Sequence, residues 1–190
     1  MARVHYPASS VTSITARPPW VFAYGSLMWD PGFAFEDRQP GLLRGYHRAF
    51  CIYSHYYRGT PESPGLVLGL DRGGACRGLV YRVAAEREQE VRAYLWEREI
   101  GNDGVYKEKM LPVLLDKGGT VQTLTYVADR AHPQYAGRLT PEQAALLIRN
   151  GVGQRGRCLD YFASTVKHLE ELGFRESPLH RLLELATAPD

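Results

Sequence analysis

The chain has 190 residues, of which 44% are hydrophobic and 23% charged, values typical of one soluble globular domain. Its 23 basic and 21 acidic residues are interspersed and give a formal net charge of +2, which predicts neither a nucleic-acid partner nor a membrane surface. Three distant cysteines and six scattered histidines lack disulfide-framework and metal-ligand spacing, so we expect no metal site. The longest apolar runs are too short for a membrane span, so we expect a cytoplasmic location. These bulk properties give no prediction of the oligomeric state.

The N-terminal part of the chain predicts an extension followed by a strand and a glycine turn. Residues 1–18 lack the continuous apolar segment of a signal peptide, so we expect an N-terminal extension followed by one domain over residues 19–190. Val21–Ala23 is a short apolar strand that runs into Tyr24, Gly25, Ser26 and Leu27. A glycine there permits a sharp turn whose backbone N–H groups could bind a carboxylate or an oxyanion, although an ordinary strand-end turn is the simpler interpretation.

The middle of the chain predicts further strands. Gly73-Gly74 between two apolar segments predicts a β-hairpin, and a second glycine pair at positions 118 and 119 predicts another turn. A segment rich in glycine and proline, Arg58–Gly65, predicts a loop. The predicted strands are Gly45–Ser54, Leu66–Asp71, Cys76–Val83, Val105–Leu115 and Thr120–Ala128.

A helix is predicted between these strands, over Glu86–Ile100. Val91, Leu95 and Glu99 are spaced i, i+4 and i+8, which places them within about 80° of arc on one face, whereas Glu97 points elsewhere. A carboxylate on an apolar stripe is costly unless it is paired or protonated, and burial raises its pKa. Glu99 is therefore a candidate acid/base. The alternatives are a last-turn residue that reaches water and a structural salt bridge with an arginine.

The last third of the sequence predicts helices, each with recognisable start or stop signals. Thr140-Pro141-Glu142-Gln143 is a capping-box pattern, and Gly151 ends that helix. The second helix covers Cys158–Leu172, and the third begins at Ser177-Pro178. Strands followed by helices predict an α+β domain whose strands close or nearly close a barrel. Gly151-Val152-Gly153-Gln154-Arg155-Gly156 matches G-x-G-x-x-G, but it follows a helix instead of a strand, which disfavours a nucleotide site.

Several segments together resemble the ChaC family of glutathione-specific γ-glutamylcyclotransferases. The resemblance runs in the family's order over about residues 20–182, and its most specific part is the pair Y-G-S-L-x-W and Y-L-x-x-R-E. The matching segments are Val21–Trp29, Arg58–Pro61 with Pro64-Gly65, Arg77–Val83, Tyr94–Glu99 and Gly156–Tyr161.

This resemblance implies a fold, an activity and a set of site residues. The fold would be a γ-glutamylcyclotransferase-like mixed β-barrel flanked by helices. The activity would be cofactor-free cleavage of glutathione, a small-molecule substrate, to 5-oxoproline and cysteinylglycine. The family's catalytic glutamate maps to Glu99, and its substrate-binding loop maps to Tyr24, Gly25, Ser26 and Leu27. Arg58 and Tyr161 are further candidates for orienting the substrate, although a buried tyrosine is more often part of the core.

Alternatives to this function remain open at the level of sequence. The nearest is a cyclotransferase that acts on another γ-glutamyl amine. A non-catalytic ligand-binding regulator on the same fold is the second, and a hydrolase that admits water in place of the α-amine is the third. Ser26 is a poor nucleophile candidate because the pattern is not G-x-S-x-G and no histidine stands as an evident partner.

Overall fold

The computed structural model describes residues 19–101 and 104–188, which form five long or medium strands, a small hairpin and four helices. The predicted extension at residues 1–18 lies outside the described residues. The strands are β1 Trp20–Ala23, β2 Asp37–Ser54, β3 Gly65–Arg82, β4 Tyr106–Leu115, β5 Thr120–Ala128, β6 Val152–Gly153 and β7 Gly156–Arg157. The helices are α1 Glu88–Glu99, α2 Pro141–Asn150, α3 Cys158–Glu171 and α4 Ser177–Thr187.

Strands β1 to β5 form a closed barrel in the order β1-β3-β2-β4-β5. The sheet is mixed, because β5 runs parallel to β1, with Trp20 opposite Thr123, while the other neighbours are antiparallel. Closure removes the exposed strand edges that an open sheet of this size would present. The predicted α+β class and the predicted closed barrel are therefore both confirmed.

The predicted hairpin at Gly73-Gly74 is wrong. The two predicted strands on either side belong to one continuous strand, β3, which pairs with β2 from Gly65 to Arg82. β2 is correspondingly longer than predicted, because it already begins at Asp37. Both glycines have positive φ, +105° and +66°, and they lie where the register with β2 shifts. They accommodate a bulge between two long partners, and the non-local pairing with β2 overrides the local turn signal.

Helices α2 and α3 pack against strand β3 of the barrel, and α4 packs against α2 and α3. Their buried side chains include Ile148, Phe162 and Leu179. The capping box of α2 is present: Thr140 Oγ1 accepts from the N–H of Gln143 at 3.3 Å, and Gln143 Oε1 accepts from the N–H of Thr140 at 3.0 Å. The predicted starts of the three C-terminal helices, and the predicted ends of the first two, are confirmed to within a residue or two. Among the described residues, no helix has both the length and the apolar character needed to cross a membrane.

The glycines of the G-x-G-x-x-G segment have a packing role. The segment follows α2, as the sequence predicts, and forms the hairpin β6–β7. A Cβ atom on Gly153 would lie 2.5 Å from the carbonyl oxygen of Tyr56 and from the carbonyl carbon of Tyr57. Only a glycine lets the two backbones approach this closely. The hairpin therefore fixes the loop that follows β2.

Candidate active site

Helix α1 places Glu99 on its buried face, as the spacing predicts. Val91 and Leu95 are 3% and 0% exposed, and the Glu99 side chain is 18% exposed, whereas Glu97 is exposed to solvent. Glu99 is the last residue of the helix. Its carboxylate turns inward instead of reaching water, so the first alternative interpretation of this residue is wrong.

The electrostatic environment of Glu99 is set by burial and by one neighbouring cation. Burial raises the pKa of the Glu99 carboxyl above its usual 4.5, and the positive charge of Arg98 acts in the opposite direction. Arg98 Nε lies 3.6 Å from Glu99 Oε1, a loose ion pair and not a hydrogen bond. The net shift is upward, so burial is the stronger effect. The predicted alternative of an arginine salt bridge is thus present in weak form beside a raised pKa.

The loop after β1 is held from two sides. A 3₁₀ turn over Ser26–Met28 begins directly after Gly25, whose carbonyl accepts from the N–H of Met28 at 2.8 Å. From the barrel, the hydroxyl of Tyr81 donates to the carbonyls of Leu27 and Met28, each at 3.0 Å. The backbone of the loop is therefore fixed by buried hydrogen bonds.

A buried arginine supports the loop from behind. The Arg48 side chain is 0% exposed, and it donates to the carbonyl of Tyr24 and contacts the sulfur of Met28 at 3.7 Å. Its charge is paired with Glu176, the residue that precedes α4. A buried charge is tolerated only when it is paired and hydrogen-bonded, and Arg48 satisfies both conditions. Arg48 was not predicted from the sequence as a residue of the site.

Glu99 and the loop line one cavity. Five of the predicted site residues line it together with Glu99, so the structure brings together residues that are up to 137 positions apart (161 − 24) in the sequence. The lining residues are Phe22, Tyr24, Gly25, Ser26, Leu27, Leu68, Glu99, Tyr106, Tyr126 and Tyr161.

Three of the four tyrosines in this lining have a pKa above the usual value, and the other one forms a hydrogen bond. Burial raises the pKa of Tyr24, Tyr126 and Tyr161, and the nearby Glu99 carboxylate raises the first two further. The Tyr106 hydroxyl donates to the carbonyl of Leu68 at 2.7 Å, and that of Tyr126 donates to Glu108 at 3.2 Å. The cavity therefore presents a desolvated carboxylate among neutral hydroxyl groups, an arrangement suited to proton exchange with a polar ligand.

Arg58 lies outside this lining, behind one of its walls. Its guanidinium carbon is 4.9 Å from the centroid of the Tyr161 ring, and Nη1 donates to the carbonyl of Arg155. The cation stacks on the ring of Tyr161 and connects α3 to the β6–β7 hairpin. The structure thus brings Arg58 next to the predicted site without placing it in the cavity.

Four residues that line the cavity were not predicted from the sequence: Phe22, Leu68, Tyr106 and Tyr126. Tyr106 and Tyr126 lie on β4 and β5, and their inward orientation depends on the barrel closing. The alternation of the strands could have assigned them to one face, but only the closed barrel identifies that face as the one beside Glu99.

Among the described residues, no group of three or more His, Cys, Asp or Glu side chains is placed to hold a metal ion.

Comparison with known proteins matches the chain to one family over nearly its whole length. The family model described as "ChaC-like protein" matches residues 19–188. A glutathione-specific gamma-glutamylcyclotransferase of Escherichia coli is 35% identical over 180 residues, which cover 93% of this chain and 78% of the relative. A mouse protein named glutathione-specific gamma-glutamylcyclotransferase 1 is 34% identical, with 81% of this chain and 70% of the relative covered.

The solved structures support the same fold. The crystal structure of a gamma glutamyl cyclotransferase specific to glutathione from yeast superposes with a TM-score of 0.76 at 22% identity, and covers 90% of this chain and 98% of that chain. An identity this low establishes the fold alone, which is the γ-glutamylcyclotransferase fold. The family match over residues 19–188 and the relatives at 30% identity or more carry the assignment further. The chain therefore belongs to the ChaC-like family.

Proposed function

We propose that this protein is a glutathione-specific γ-glutamylcyclotransferase that releases 5-oxoproline and cysteinylglycine. One observation carries the proposal: a desolvated glutamate, Glu99, lies in the same cavity as the fixed loop Tyr24–Leu27. The relatives named above are glutathione-specific enzymes, which supports this choice of substrate over another γ-glutamyl amine. The catalytic domain would correspond to residues 19–190, behind an extension at 1–18.

The reaction needs no covalent intermediate with the enzyme. The α-amine of the γ-glutamyl group attacks its own γ-carbonyl carbon, a new C–N bond closes the five-membered ring, and the bond to the cysteinyl nitrogen breaks. Because nucleophile and electrophile belong to one molecule, the protein contributes mainly by holding the folded conformer. We expect the cavity wall formed by the loop and the tyrosines to enforce that conformer.

Glu99 would carry the proton through the reaction. In its ionised form it accepts a proton from the α-ammonium group, which frees the lone pair for attack. It then donates that proton to the leaving nitrogen, so that the bond to the cysteinyl nitrogen breaks and the dipeptide departs as an amine. The second proton that the attacking nitrogen loses in becoming the lactam N–H passes to the released amine, which becomes an ammonium group, and Glu99 returns to its ionised state. A pKa raised by burial suits both steps, because it brings the carboxyl closer to the working pH.

The loop and the tyrosines would bind and orient the substrate. Backbone N–H groups at Gly25–Leu27 would hold the substrate's α-carboxylate or the oxyanion that develops on the γ-carbonyl oxygen. The hydroxyls of Tyr24 and Tyr161 would contribute hydrogen bonds from neutral phenols. Arg58 would act indirectly, by fixing the ring of Tyr161. The three cysteines are buried and unpaired, which is compatible with the cytoplasmic location that we propose.

The direct test is to incubate the purified protein with glutathione and a metal chelator and to identify the products by mass spectrometry. We expect 5-oxoproline and cysteinylglycine in equal amounts, without an added cofactor. Glutamate in place of 5-oxoproline would indicate a hydrolase. Turnover of other γ-glutamyl amines but not of glutathione would assign a different substrate, and no turnover of any γ-glutamyl compound would favour the ligand-binding regulator.

A further inference from the structure

A second cavity adjoins the first one, and the two share Glu99 and Tyr106 in their linings. The second cavity is also lined by Tyr53, Tyr57 and Gln134. Resting on the function proposed above, we infer that this second cavity, the leaving-group cavity, binds the cysteinylglycine half of glutathione and that Gln134 recognises its peptide amide.

The position of Glu99 between the two cavities is the first reason for this assignment. The proton carrier must reach the α-amine before the attack and the leaving nitrogen after it, so both nitrogens must lie next to the same carboxylate. The cavity that contains the loop Tyr24–Leu27 holds the γ-glutamyl half. The dipeptide must then extend from Glu99 in another direction, and the leaving-group cavity begins there.

The second reason is the way in which Gln134 is held. Its backbone carbonyl accepts from the N–H of Tyr53 at 2.8 Å, its side-chain Nε2 donates to the carbonyl of Tyr53 at 3.3 Å, and Tyr135 forms an isolated bridge with Ile52. Nε2 is thereby fixed to β2. Oε1 accepts no hydrogen bond from any of the described residues and is free to accept one from the N–H of a peptide.

The segment that carries Tyr57 is held by several contacts to the β6–β7 hairpin. The carbonyls of Tyr56 and Tyr57 accept from the N–H groups of Gln154 and Arg155 at 2.9 and 3.0 Å, and the Arg155 guanidinium lies 4.5 Å from the centroid of the Tyr57 ring. The close backbone contact of Gly153 fixes the same segment. A preorganised wall lowers the entropic cost of ordering a short, flexible peptide.

The test compares two substrates that share the γ-glutamyl half and differ in the leaving group. Glutathione carries the dipeptide, and γ-glutamylmethylamide carries only a methylamine. We expect Gln134→Leu to lower kcat/KM for glutathione about tenfold, as for the loss of one hydrogen bond in a desolvated site. The same variant should change kcat/KM for γ-glutamylmethylamide less than about twofold. Gln122→Leu is the matched control, because Gln122 is an exposed glutamine of β5 that lines neither cavity, and it should affect neither substrate.

A binding measurement separates this inference from the proposed function. Cysteinylglycine should bind the wild-type protein and bind Gln134→Leu about tenfold more weakly in a calorimetric titration, whether or not the protein turns over glutathione. Equal effects of Gln134→Leu on both substrates, or equal dipeptide affinities of wild type and variant, would overturn the assignment of Gln134. If neither substrate gave 5-oxoproline, the cyclotransferase function would be refuted. The assignment of the peptide site would still stand if dipeptide binding depended on Gln134.

Discussion

Glu99 and Glu97 are two positions apart on α1 and differ in environment, because one is buried beside the cavity and the other is exposed. Glu99→Gln keeps the size and most of the hydrogen bonds of the side chain but cannot exchange a proton. We expect kcat to fall by roughly 10²- to 10⁴-fold, with a smaller change in KM, when 5-oxoproline release is followed under steady-state conditions.

Glu97→Gln provides the control for this experiment, since it makes the same chemical change on the exposed face of the same helix. Its kcat should stay within about threefold of wild type, as for a surface substitution. If both variants lost the same activity, a general effect on the helix would explain the result. A near wild-type rate for Glu99→Gln would remove the proposed mechanism.

The raised pKa of Glu99 predicts a dependence on pH for both activity and stability. As general base it must be ionised, so kcat/KM should decline at acidic pH with an apparent pKa above 4.5. The buried carboxylate destabilises the folded state once it ionises. The penalty is absent below the unfolded-state pKa, where both states are protonated, and it grows as the pH rises through the folded-state pKa.

Comparison of the melting temperatures of wild type and Glu99→Gln between pH 4 and pH 8, a window chosen to bracket the usual carboxyl pKa, measures this penalty. The variant should be the more stable protein at neutral pH, and its advantage should disappear toward the acidic end. A constant difference across the series would show that ionisation of Glu99 does not contribute to stability.

The spacing of Val91, Leu95 and Glu99 sufficed to predict the buried carboxylate, because helical periodicity is a local property.

At the level of elements, α4 is tied to the loop after β1 through Glu176 and the buried Arg48. Arg48→Met removes the charge and the donor to the carbonyl of Tyr24. We expect the free energy of unfolding to fall by about 3 to 5 kcal/mol, because removal of one partner leaves the rest of a buried network unpaired. The value of kcat should fall as well, because the backbone of Tyr24 loses its support.

Urea denaturation followed by circular dichroism, together with the 5-oxoproline assay on the folded variant, checks both parts. Arg77→Met is the control, since Arg77 and Asp116 form an ion pair whose side chains are 50% and 39% exposed. Loss of this exposed pair should cost at most about 1 kcal/mol. Equal losses in the two variants would contradict the special role of the buried pair.

The sequence offered no signal for Arg48, because its importance depends on contacts with residues up to 128 positions away.

The β6–β7 hairpin tests the packing role of the glycine-rich segment. Gly153→Ala introduces a Cβ atom 2.5 Å from the carbonyl oxygen of Tyr56. Because this oxygen belongs to the backbone, rotation of a side chain cannot relieve the contact. We expect a loss of about 1 to 3 kcal/mol in the free energy of unfolding, as for overpacking, measured by urea denaturation. Val152→Ala in the same hairpin changes a side chain that is 54% exposed and should cost less than about 0.5 kcal/mol.

The strands show where local sequence signals fail. The helices and the strands β1, β4 and β5 follow from caps, periodicity and glycine turns, all of which act within a few residues. β3 does not, because its glycine pair has the composition of a hairpin turn. Only the pairing of β3 with the whole of β2 makes the continuous strand more favourable than two short ones.

At the scale of the whole molecule, the barrel and the helices close a cavity around Glu99 that was predictable only in part. The loop and Glu99 could be assigned from their motifs. The walls contributed by Leu68, Tyr106 and Tyr126 come from three different strands, and their convergence depends on barrel closure and register, which no single segment encodes. Glu99 and the glycine turn after β1 were therefore predictable, and the strand residues that shape the cavity were not.

The last prediction concerns the chemistry of the complete enzyme with its substrate. If the α-amine of the substrate is the nucleophile, acetylation of that amine removes its lone pair from the reaction and also adds bulk beside Glu99. We expect the rate of 5-oxoproline and cysteinylglycine release from N-acetylglutathione to be less than about one hundredth of the rate from glutathione. A loss of this size is in the range of a lost proton-transfer step. S-Methylglutathione is the control, because it keeps the amine and modifies only the leaving half, and it should still give 5-oxoproline. A hydrolase would cleave the acetylated compound with water, so the appearance of N-acetylglutamate would contradict cyclisation and leave Glu99 as the base for a water molecule.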